Sequence, residues 1–226
     1  MLLVYRFLWI AAALGVVACL LVLSNPQRRA PVASSRWVSV QLGQFALDAP
    51  ADFRAYRDPL TQMGMNTPNS PIQLRDAIRV ERGVRTGLKL LINTLRTDLQ
   101  ASGGEPVSTN PSENYLRLIA RVHDAQKQKI AEAVADFREK QSQMVRIRGA
   151  VGLRTDFEYT HVPLLPLFRF RVQGYMITVP ISSAETLHMI VYYPPERAHE
   201  YGKVFDKMLN SLKLGQAKAE AEGGWY

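Results

Sequence analysis

Along this chain the apolar residues fall into an uncharged opening run followed by segments of alternating or helical spacing. From Phe7 to Leu23 no charged residue occurs, a stretch at the lower limit of what a helix rising 1.5 Å per residue needs to cross ~30 Å of hydrocarbon. Residues 37–50 alternate apolar with polar and break step at Gly43, which predicts two short strands or one bent strand ending at Pro50. Residues 54–75 contain Pro59, Pro68 and Pro71 and predict a long surface excursion, after which 77–84 resume a strand pattern. Beyond Thr86, a candidate N-cap, Leu88, Leu91, Ile92, Leu95 and Leu99 form a helical stripe that stops at Gly103-Gly104. Residues 115–122 read as a strand on Leu116, Leu118, Ala120 and Val122, and 124–143 as a helix on Ile130, Val134 and Phe137. A single long strand is expected over 144–160, its odd positions apolar and its even ones charged. Strands at 168–179 and 186–193 follow, joined by a turn short enough to require antiparallel pairing. A last helix opens after Pro194-Pro195 and presents Tyr201, Val204, Phe205, Met208 and Leu212 to the sheet. The expected fold class is α+β, an antiparallel sheet flanked by helices and preceded by one N-terminal transmembrane helix.

The opening run has three readings. An uncleaved span is favoured because Leu20, Leu21, Val22 and Leu23 continue the run past the only processing point. Val16-Val17-Ala18-Cys19 resembles a lipobox, in which case Cys19 would carry the lipid. A signal removed altogether is the third. The domain boundaries that result are an anchor at 1–23, a linker at 24–36, an α+β domain at 37–214 and a tail at 215–226. Arg28 and Arg29 would lie at headgroup height, and Trp225 and Tyr226 end the tail as candidate contacts. The flanking charges nearly balance and do not orient the span.

Charge adds one feature. The 226 residues carry a formal +8, with 28 Lys and Arg against 20 Asp and Glu, so an anionic surface or an acidic protein should be attracted. Arg79 and Arg82 on one strand, Arg117 and Arg121 on a second, and Arg146 and Arg148 on the longest are candidates for a basic sheet face that binds a partner or lipid headgroups. Local pairing with Glu81, Asp156 and Glu158 is the alternative. The one cysteine, Cys19, leaves the domain with neither disulfide nor thiolate. The four histidines show no metal-binding spacing, and His188, between Leu187 and Met189, suits a hydrogen-bonded structural role. His123-Asp124 and His199-Glu200 are expected at helix starts. Neither G-x-S-x-G nor a phosphate loop occurs. No catalytic residue, metal or cofactor is therefore expected, and nucleic acid is not an expected partner.

Three segments carry a family resemblance. "LGQFALDAPADFR" resembles the opening of PsbP-like domains, "RGAVGLRTDFEYT" is similar to their central strand pair, and "YGKVFDKMLNSLKL" resembles their closing helix. The resemblance spans 37–214 and departs from the family at the 54–75 loop and at 124–143. It implies an α/β/α sandwich, a fold of photosystem accessory proteins, a Ran-binding import factor and exported bacterial lipoproteins. By that likeness the chain is expected to be a non-enzymatic accessory or assembly subunit of a membrane protein complex; with the uncleaved span it would be single-pass, its domain on the periplasmic side of a bacterial inner membrane. The alternatives are an envelope lipoprotein, or a ligand-binding or hydrolytic domain with its site between the sheet and the 54–75 loop.

Overall fold

The computed structural model describes residues 9–17, 19, 34–58, 71–83, 87–97, 111–147, 149–162 and 169–214. A seven-stranded antiparallel sheet forms the centre, built from β3 (Arg54–Arg57), β4 (Ile72–Glu81), β5 (Lys89–Thr97), β6 (Ala135–Ile147), β7 (Ala150–His161), β8 (Phe170–Pro180) and β9 (Glu185–Tyr193). Its strand order is β3-β4-β5-β9-β8-β7-β6, so the chain crosses once from β5 to the far edge and returns by hairpins. Helix α1 (Pro111–Ala133) makes that crossing and covers one face. The opposite face is covered by α2 (Ala198–Ser211) and by a three-stranded sheet of β1 (Trp37–Leu42), β2 (Phe45–Pro50) and β10 (Lys213–Leu214). The fold is α+β with antiparallel sheets, as expected, although one covering layer contains strands.

Each face has its own apolar layer, since side chains alternate along every strand. Against α2 and the small sheet lie Ile78, Val80, Leu90, Ile92, Met189 and Val191, packed on Phe45, Leu47, Tyr201, Phe205 and Met208. Under α1 lie Ile72, Leu74, Leu95, Leu118 and Val122, with a second group of Phe157, Tyr159, Met176, Ile190 and Tyr192 further along the sheet. The four α2 side chains Tyr201, Phe205, Met208 and Leu209 are buried, each contributing roughly 1.5–3 kcal/mol.

Several expectations are corrected. Residues 88–99 are not a helix: 89–97 form the central strand β5, flanked by β4 and β9. A strand buried on both faces is apolar nearly throughout, so a helical stripe can be drawn through it by coincidence. Residues 115–122 are helix, not strand. The buried positions there are Leu118, Ile119, Val122, His123 and Gln126, which repeat at helical spacing, while Leu116 is exposed. Residues 135–143, read as helix, belong to β6. The strand expected over 144–160 is two strands, folded back at Gly149, whose φ of 87° suits a residue without Cβ. That turn pairs Ile147 with Ala150 and so inverts the parity: beyond the second register shift of β6, odd residues such as Val145 and Ile147 face α2, whereas odd residues of β7 such as Phe157 and Tyr159 face α1. The strands at 37–42 and 45–50, the β8–β9 hairpin and α2 agree with the sequence reading.

The start of the chain is helical over 9–17 and at 19, and every described side chain in it is exposed. Among the described residues no helix is long and apolar enough to cross a membrane, so the expected transmembrane helix is not found there.

Candidate functional site

The α1 face is incompletely covered at the β6 side of the sheet. There the N-terminal half of α1 stands away from the ends of β6, β7 and β8, leaving a groove of about 670 Å³. Tyr115, Leu116 and Ile119 line it from the helix, Met144 and Arg146 from β6, Val151 from β7 and Pro180 from β8. Its apolar side chains reach solvent: Met144 is 53% exposed, Leu116 49%, Val151 38% and Tyr115 37%. Large apolar groups clustered in this way mark a surface that meets something else. Arg146 stands at the groove with no hydrogen bond or ion pair among the described residues.

A buried polar layer fixes the helix that forms one wall. His123 lies near the middle of α1, not at a helix start, and is fully buried. Its Nε2 is 2.7 Å from Thr155 Oγ1 on β7 and its Nδ1 3.0 Å from Thr178 Oγ1 on β8. Thr178 Oγ1 is in turn 2.8 Å from His188 Nδ1 on β9. Outward, Ser142 Oγ meets Thr155 Oγ1 and donates to Glu139 at 2.6 Å, and Lys127 of α1 pairs with Glu139 at 3.1 Å. The chain of contacts thus runs from the surface to the middle of the sheet. Desolvation drives the His123 pKa down to about 4 and that of His188 to about 3, so both rings are neutral at pH 7. Among the described residues His188 Nε2 and Gln126 Nε2 have no hydrogen-bond partner. The structural role expected of His188 is what its contacts give it.

On the opposite face, beside the start of α2, a polar cleft of about 400 Å³ is lined by Lys140, Arg154, Asp156, Gln173, Tyr193 and His199, among others. Its charged side chains have partners, Lys140 in Glu158 and Arg154 in Asp156. Arg154 donates to Asp156 at 2.9 Å and lies 3.9 Å over the Tyr175 ring, and the Tyr175 hydroxyl donates to Asp206 at 2.7 Å. Burial, with Asp206 next in order, raises the Tyr175 pKa far above the usual phenol range. The phenol therefore stays protonated and fills a structural place. Among the described residues no group of three His, Cys, Asp or Glu side chains could hold a metal ion.

The arginines expected to share one basic face do not. Arg79 pairs with Asp58 at 2.5 Å and sits on the α1 side, while Arg82 pairs with Asp52 at 2.6 Å and donates to the Tyr201 hydroxyl on the α2 side. Arg117 and Arg121 are on α1, not a strand, and Arg117 is bonded to Glu113 one turn earlier. The parity inversion at Gly149 puts Arg146 and Arg154 on opposite faces. Arg28, Arg29, Arg148, Trp225 and Tyr226 lie outside the described residues. Cys19 is a free, exposed thiol in the helical opening stretch. The groove itself was missed by the sequence reading, although a signal existed: Leu116 and Met144 carry large apolar side chains that neither correct period buries.

No family model matches the chain, and no curated protein matches it. Among solved structures it is similar to the PsbP of the cyanobacterium Synechocystis sp. PCC 6803 (CyanoP). That likeness has 10% identity over 82% of this chain and 95% of that one, at a TM-score of 0.43. LpqN, involved in cell envelope biogenesis of Mycobacterium tuberculosis, is similar at 10% identity over 84% of this chain and 95% of its own, with a TM-score of 0.40. PA94 of Pseudomonas aeruginosa, a protein of unknown function, matches at 10% identity over 78% of this chain and 96% of its own, with a TM-score of 0.39. A superposition at these scores carries no argument about activity or partners.

Proposed function

We propose that this chain is a non-enzymatic accessory or assembly subunit, held to a membrane by its first segment, that docks a protein partner in the groove between α1 and β6. The observation that carries the reading is the cluster of large apolar side chains left open to solvent at Leu116, Met144, Val151 and Tyr115, at a size suited to a partner's side chains. The tether is supported by the described part of the opening helix, where Trp9 is 73% and Leu14 64% exposed. An apolar helix whose described side chains are all exposed is stabilised by an apolar surrounding. In this reading Arg28 and Arg29 meet headgroups, and the domain stands on the periplasmic side of a bacterial inner membrane. In the polar cleft beside α2 the charged side chains Lys140, Arg154 and Asp156 are held in ion pairs, which favours binding over catalysis as the chain's task.

Native gel electrophoresis of membranes dissolved in mild detergent tests this. The wild-type chain should migrate in an assembly well above its own 25.4 kDa. A Leu116→Glu/Met144→Glu variant should remain in the membrane fraction and migrate alone. Wild-type chain in the aqueous fraction, or an assembly unaffected by the two substitutions, would overturn the proposal.

A further inference from the structure

We propose that the partner is held by strand addition: an extended segment that alternates apolar with acidic residues pairs with the open edge of β6 over 142–147 and drops its apolar side chains into the groove. This rests on the groove being the docking face and specifies what occupies it. Among the described residues β6 is the last strand of the sheet, paired on one side with β7 and with no strand on the other. An unpaired edge templates further pairing unless it is short, bulged or charged. The opposite edge strand, β3, is only 4 residues long, whereas β6 has 13. The two halves of β6 differ. Its first half carries both register shifts, at Ala135/Arg138 and Glu139/Gln141, together with the charged run Arg138, Glu139 and Lys140. The second half, 142–147, keeps unbroken register with Thr155 to Ala150 and contains no acid and no proline. It is an unprotected edge of a length a strand can use.

The side chains beside that edge set the chemistry. Ser142, Met144 and Arg146 alternate onto the α1 face, next to Leu116 across the groove. A strand added ~4.8 Å away would extend this face, with its apolar positions flanking Met144. Arg146, with no ion pair among the described residues, calls for an acidic residue opposite. A second copy of the chain answers this badly. Antiparallel self-pairing centred on Met144 or Val145 sets Arg146 against Ser142 or Met144, and centring on Gln143 or Ser142 sets it against Lys140 or Arg138, so in none of these registers does an acid meet it. The favoured occupant is therefore an acidic-apolar extended segment of a different protein.

The test uses the full chain in mild detergent and a short, capped, fluorescein-labelled peptide alternating valine with glutamate, read by fluorescence polarisation and by hydrogen exchange with mass spectrometry. The peptide should bind saturably, and amide exchange across 141–147 should slow while the rest of the sheet is unchanged. A peptide with lysine for glutamate should bind about tenfold more weakly, and one with prolines at its central valines should not bind. Arg146→Glu should reverse the preference between the glutamate and lysine peptides. Absence of binding, equal binding of the proline peptide, or protection of 141–147 by self-association without peptide would each overturn the inference. A detergent-stable assembly whose 141–147 amides exchange freely would leave the docking reading in place and remove strand addition.

Discussion

Acidification should release α1 from the sheet well before carboxylates are titrated, because two neutral imidazoles, His123 of α1 and His188 of β9, are buried between them. In an unfolded chain histidine titrates near 6.5. In this fold His123 is lowered to about 4 by desolvation, with Asp124 and Glu139 opposing and Lys127 assisting, and His188 is lowered to about 3 by desolvation, with the His123 ring acting in the same direction. The folded pKa values lie below the unfolded one, so between about pH 6.5 and 4 the unfolded chain binds protons that the folded chain refuses. Stability contributed by the neutral rings is complete above pH 6.5 and is lost as pH falls. Each imidazole costs about 1.4 kcal/mol per pH unit, so a drop from pH 6.5 to 4.5 removes on the order of 5 kcal/mol, a large part of a typical domain's total. His161, lowered by partial burial and Lys89, adds slope of the same sign. Glu139 and Glu158, whose pKa values are lowered chiefly by bonds from Ser142 and Lys140, lose their contribution only at more acid pH. Urea unfolding followed by circular dichroism at pH 7, 6 and 5 measures the slope. His188→Gln, which keeps a side-chain amide for Thr178, should remove about half of it. Equal stability at pH 7 and 5, or the wild-type slope in His188→Gln, would refute the argument.

Three further outcomes follow from the packing. Phe205→Ala, at a position with no exposed surface and ring contacts to Phe53 and Tyr193, should cost ~3–5 kcal/mol in urea unfolding. Gly174→Ala should destabilise by ~2 kcal/mol or more, since a Cβ there would sit 2.1 Å from the Val191 carbonyl oxygen; thermal melting reads the loss. Leu116→Glu/Met144→Glu should leave unfolding free energy within about 0.5 kcal/mol of wild type, so that any loss of assembly reports on docking and not on folding.

The sequence was most legible where one face of an element is wet. α2 shows a clean stripe at Tyr201, Phe205, Met208 and Leu212, and β1 and β2 break at Gly43, so both were read correctly. β5 failed because both faces are buried, and Leu88, Leu91, Ile92 and Leu95 fit two periods equally. The start of α1 failed for the opposite reason. Leu116 lies exposed in the groove, and its presence beside Leu118 counterfeits an alternation. The parity inversion at Gly149 was invisible to a rule that counts odd and even positions, so arginines assigned to one face lie on two. The groove and the His123–Thr178–His188 contacts join α1, β7, β8 and β9, which only the strand order brings together.

The central claim is that the partner meets the α1–β6 surface. Placing a photoreactive amino acid at 144, and separately at the exposed Lys203 on α2, and irradiating intact membranes tests it most directly. A discrete adduct from position 144 and none from 203 is the predicted result. Adducts of equal yield from both positions, or from 203 alone, would contradict it.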